Sequence, residues 1–118
     1  MASGEHPKLL PFDAFERLLA ALVEAQLDTA PDFEAARTTR VNPGILLWSW
    51  GGDGPGLRPL KGYAFRDVDG AVVTIDFMHR EGALGEIEIL RGDGEPIKAV
   101  PDVSKLTEIK GPGLIILD

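Results

Sequence analysis

Asp76, Glu86 and Glu88 are the side chains whose types and spacing come nearest to chemistry in this sequence. All three fall on even positions of a stretch that alternates apolar and polar residues, so extended strands would send them to one face. Two carboxylates held together can divide acid and base roles, as in glycoside hydrolysis, or share a hard cation. His79 would add a general base or a metal ligand. It has the parity of the apolar residues around it, however, and so faces away from the acids. Ser49 and Ser104 would each need His79 to build a Ser-His-Asp arrangement, and nothing in their spacing brings them to it. On the flat outer face of a small sheet the acids also lack the enclosing pocket that tunes such groups. No catalytic residue, metal ligand or cofactor site is therefore assigned, and a small-ligand or metal-dependent enzyme with a pocket under the 51–62 loop is kept as the alternative.

The strands that carry these acids are marked by three short loops ending in glycine, Val68-Asp69-Gly70, Arg80-Glu81-Gly82 and Gly92-Asp93-Gly94. A three-residue hairpin loop commonly ends on a left-handed residue, which glycine adopts without steric cost. Odd loops pair Phe65 with Val73 and Tyr63 with Ile75. In the second hairpin they pair Phe77 with Gly85, Ile75 with Ile87 and Val73 with Ile89, and in the third Ile89 with Ile97. One face is then apolar throughout, which two-residue Asp-Gly turns would not achieve. The same register sets Glu88 between Thr74 and Lys98 and puts Asp76 directly across from Glu86. Like charges in that position destabilise by about 0.2–1 kcal/mol, so the pair is either solvated or answered by a cation from outside.

Ahead of the strands, Phe12, Phe15, Leu18, Leu19, Leu22, Val23 and Leu27 recur at helical spacing. Pro11 and an Asp13-x-x-Glu16 spacing similar to a capping box mark the start of this amphipathic helix. Residues 28–44 read as a transition with a short helical turn near Phe33–Arg37. Ile45 to Trp50 reads as a strand apolar on nearly every position, with Trp48 and Trp50 on one face, either as core or as binding surface. The glycine-rich segment 51–62 is a crossover or a binding loop, with Arg58 and Lys61 as its contacts. It lacks the order of a phosphate loop. Leu114 to Leu117 is an apolar run that adds to the sheet, closes the core or meets a second copy, so monomer and homodimer both stay open.

With 118 residues, 44% of them hydrophobic, the chain can fold as one domain over 11–118 behind a flexible arm at 1–10. The absence of cysteine excludes disulfides and zinc-thiolate sites. A net charge of −7 argues against nucleic acid and favours a basic partner. No apolar run approaches the roughly 20 residues that span a bilayer. The opening residues lack the pattern of a secretory signal, so a cytoplasmic location is expected. Asp67-x-Asp69-Gly70 lacks the remaining ligands of a calcium loop and reads as a turn, and Arg91-Gly92-Asp93 reads as a strand end plus loop.

The run Asp67-Val68-Asp69-Gly70-Ala71-Val72-Val73, then Gly85-Glu86-Ile87-Glu88-Ile89-Leu90-Arg91-Gly92-Asp93-Gly94-Glu95-Pro96-Ile97 and Val100-Pro101, resembles small uncharacterised bacterial domains of the immunity-protein type. This chain departs from their pattern at Gly94, where an aromatic residue commonly follows the Asp. The resemblance implies a protein-binding role. The expected fold is α+β, an N-terminal amphipathic helix packed on an antiparallel β-meander of about five to six strands. Its core is expected to hold Phe15, Leu19, Val73, Ile75, Phe77, Ile87 and Ile89. The expected function is a non-enzymatic module, immunity-like, that binds a basic protein through Asp76, Glu86 and Glu88 or through the 51–62 loop.

Overall fold

The computed structural model describes residues 9–51 and 56–109. One α-helix, α1 (Asp13–Leu27), packs on an antiparallel sheet of seven strands: β1 (Arg37–Asn42), β2 (Ile45–Ser49), β3 (Arg58–Pro59), β4 (Gly62–Arg66), β5 (Val72–Arg80), β6 (Ala83–Arg91) and β7 (Thr107–Ile109). The fold is α+β, as the periodicities require. In space the strands run β1-β2-β6-β5-β4-β7, with β3 beside β5.

The helix turns its apolar stripe inward. Phe15, Leu18, Leu19, Leu22 and Val23 are buried against Leu46, Trp48, Tyr63, Phe65, Val73, Ile75, Phe77, Ile87, Ile89 and Ile97. All seven expected core residues have zero exposure. Burying each such side chain contributes roughly 1.5–3 kcal/mol gross. The capping box does not form. Phe12 holds the cap position without a side-chain hydrogen bond, and Asp13 and Glu16 sit in the first turn, where acids favour the positive end of the helix dipole.

The first hairpin has the expected register, with Phe65 opposite Val73 and Tyr63 opposite Ile75. In the second, the loop is two residues long rather than three. Glu81 and Gly82 both have positive φ, 52° and 82°, the signature of a type I′ turn. An even loop alone would flip the faces, but a bulge restores them: His79 pairs with Leu84 and Met78 with Glu86, which leaves Gly85 as the extra residue. Ile75 therefore lies across from Ile89 and Phe77 from Ile87, two residues away from the expected pairing.

The third hairpin is absent. After β6 the chain turns at Gly94, whose N–H donates to Arg91 O at 3.1 Å, and Ile97 enters the core without pairing to Ile89. The free side of β6 is taken by β2. Strand β1, with only Val41 apolar, carried no periodic signal; it is an edge strand with a largely exposed pattern, joined to β2 through Pro43-Gly44. Short strand β7 extends the sheet beyond β4. Leu114–Leu117 and residues 1–8 lie outside the described residues.

Candidate functional site

The face of the sheet opposite α1 holds the three acids. The corrected register places Asp76 directly across from Glu88, not Glu86. Glu88 has Leu47 on its other side, so the expected pairing with Lys98 does not occur. Glu86 lies between Met78 and Ser49. Thr74, Met78, Leu47 and Leu90 are half-buried around the acids, so the face is an acidic strip with apolar borders.

Asp76 is held close to the backbone. A Cβ added at Gly62 would stand 3.2 Å from Asp76 Oδ1 and 3.0 Å from Ile109 Cγ1, so the missing side chain of Gly62 makes room for the carboxylate. That Oδ1 is shielded from solvent and accepts no hydrogen bond from a described residue. Burial pushes the Asp76 carboxyl above the ordinary range. The Glu88 carboxyl is also pushed up, by burial first and by the Asp76 charge second. Among the described residues no Lys or Arg is ion-paired to either. The arrangement can accept a cationic group and hold it between two partly dehydrated acids. No group of three or more His, Asp or Glu among the described residues could hold a metal ion.

The remaining expected site residues are scattered. Trp48 is fully buried on the inner face, edge-on to Phe12 with ring centroids 5.1 Å apart. Trp50 is half-buried beside Phe33, and its indole N–H donates to Asp32 O at 2.8 Å. Both tryptophans pack with the core. Arg58 is exposed on β3 opposite His79. Lys61 pairs with Glu108 at 3.2 Å at an exposed edge, and its backbone exchanges two hydrogen bonds with the Gln26 side chain. His79 accepts from Gly82 N through Nδ1 at the rim of the hairpin. Residues 52–55 of the glycine-rich segment lie outside the described residues.

A second charged cluster joins Asp67-x-Asp69-Gly70, which reads from sequence as a turn, to Arg91-Gly92-Asp93, which reads as a strand end plus loop. Arg91, 3% exposed, donates to Asp67 Oδ2 at 2.8 Å, to Asp69 Oδ2 at 2.6 Å and to Asp93 through Nε at 2.9 Å. Asp67 Oδ2 also accepts from Lys98 N, and Oδ1 from Val68 N. Hydrogen bonds from Arg91 hold the Asp69 and Asp93 carboxyls below the ordinary range, and the carboxylates raise Arg91 in turn. Each donor and acceptor is committed within the protein, so this is a structural knot. It ties the first hairpin to the segment that leaves β6. Sequence separation hid it, because |i−j| is 24 for the Arg91–Asp67 bond.

Comparison of the chain with family models, with curated proteins and with solved structures finds no match.

Proposed function

We propose that this protein is a binding module that engages a basic protein segment through the outer face of its sheet. The observation that carries this reading is the Asp76–Glu88 pair, two partly dehydrated acids directly opposed on adjacent inner strands. Such a pair costs about 0.2–1 kcal/mol in the isolated protein, and a Lys or Arg from outside converts that cost into attraction. The apolar borders at Leu47, Met78 and Leu90 suit a partner that carries apolar residues beside its cations. An immunity-like inhibitor of a basic partner, acting in the cytoplasm of a bacterial cell, is the concrete form.

The test is capture from native lysate at low and moderate salt with the wild-type chain and with Glu88→Lys. A basic partner held by the wild type, released by salt and lost from the variant is the expected result. A partner held equally by both chains would remove the acidic face from the account.

A further inference from the structure

We propose that a cleft on the far side of β4 from the acidic strip binds a small organic anion with an apolar body, such as an alkyl or aryl carboxylate. The cleft lies between the end of β4 and the segment that returns from the Arg91 knot to β7, and its volume is about 470 Å³. That is within the roughly 300–1,000 Å³ of small-molecule sites. The site is separate from the acidic strip and stands whether or not a basic protein docks there.

Three features define the ligand. Phe65, Val100 and Pro101 form apolar walls, and Val68, 73% exposed, stands at the rim as a large apolar side chain in water. An apolar ligand body seated in the cleft would pack against these side chains.

The charges at the wall are the second feature. Arg66 and Lys105 both line the cleft, in a chain whose net charge is −7. Arg66 is steadied by donating from Nη1 to Gly70 O at 3.1 Å. Lys105 ends a short 3-10 turn and forms no ion pair among the described residues. The nearby Asp102 carboxylate accepts from Ser104 N at 3.0 Å, and hydrogen bonds from Ser104 first, then the Lys105 charge, hold it below the ordinary range.

The third feature is that the acid in the wall is already neutralised. Asp67 has a side chain with zero exposure, and its oxygens accept from Arg91, Lys98 N and Val68 N. Its charge is therefore answered within the protein. An anionic head beside Lys105, with the Arg66 charge at the same wall, meets cations and a carboxylate at Asp67 that Arg91 already answers, and its apolar tail meets Phe65 and Val100. The knot also fixes both walls at once, because Arg91 holds Asp67 on one side and Pro96 O, at 3.4 Å, on the strand of chain that leads to the other. A cleft with walls so tied is formed before the ligand arrives, which lowers the ordering cost of binding.

The experiment is an amide chemical-shift titration of the full chain with octanoate and, separately, with octanol. Octanoate is expected to saturate, to shift amides within 66–68 and 99–107, and to bind about tenfold tighter than octanol, the gain of one charge-assisted contact. Lys105→Gln is expected to remove most of that preference while octanol binding stays the same. Ala99→Phe, which fills the cleft, is expected to abolish both. Equal affinity for acid and alcohol, shifts spread elsewhere on the molecule, or no saturation at all would each overturn the proposal. Should Ala99→Phe fail to fold in a thermal melt, the shift map and the Lys105→Gln comparison decide the matter alone.

Discussion

At the scale of single residues, two sets of carboxylates meet opposite fates. Asp67, Asp69 and Asp93 surround Arg91 and are answered within the chain. Asp76 and Glu88 face each other without an internal cation among the described residues. Arg91→Ala would leave the Asp67 carboxylate buried without its counter-ion, a loss of roughly 3–5 kcal/mol, read as a lower denaturant midpoint at unchanged slope. Asp76→Asn is expected to act in the opposite sense. The folded-state carboxyl is raised above its unfolded value, so ionisation works against folding as pH rises through that window. The variant should therefore be more stable than wild type at neutral pH, by a few tenths to about 1 kcal/mol. The difference should vanish in acid, where both proteins carry a neutral group there. Thermal melts at the two pH values check it.

At the scale of elements, local grammar was legible wherever apolar periodicity was strong. Helix α1, the apolar face of β5 and β6, and the first hairpin all follow from side-chain spacing. The second hairpin keeps the expected faces although its loop has two residues instead of three, because the bulge at Gly85 offsets the shorter turn. Parity is fixed by burial, whereas the exact partner depends on turn and bulge together, and that is why Asp76 faces Glu88 instead of Glu86. Strand β1 was illegible because Arg37, Thr38, Thr39 and Arg40 carry no apolar rhythm at an open edge. The third hairpin failed for a nonlocal reason. Gly44, in the β1–β2 turn, receives Arg91 N on its carbonyl at 2.7 Å, and β2 thereby takes the edge that residues 95–100 would have used. A Cβ at Gly44 would stand 2.8 Å from Arg91 O and 2.9 Å from Glu95 O, both backbone atoms. Gly44→Ala should thus cost about 1–3 kcal/mol, the usual penalty of overpacking, as measured by chemical denaturation.

At the scale of the whole molecule, the helix covers one face of the sheet, and the acids with their apolar borders lie on the other. With a net charge of −7, long-range attraction favours a basic partner and repels an acidic one. Stability and recognition should respond to salt in opposite directions. Added salt screens the repulsion within the acidic strip and so should raise the melting temperature slightly, while it weakens capture of a basic partner. A melt series and a capture series over the same salt range test both signs. A melting temperature that falls with salt would contradict the role given to that repulsion.

The central claim is that Asp76 and Glu88 are partly dehydrated acids held together on the outer face. Its most direct test is a pH titration of their side-chain carboxyl carbons by NMR in the free protein. Both are expected to titrate above the ordinary carboxylate range, and replacing Asp76 by Asn is expected to lower the Glu88 value by removing the neighbouring charge. Two carboxyls titrating independently at ordinary values would show a fully hydrated surface, and the reason for assigning the binding face to this pair would be gone.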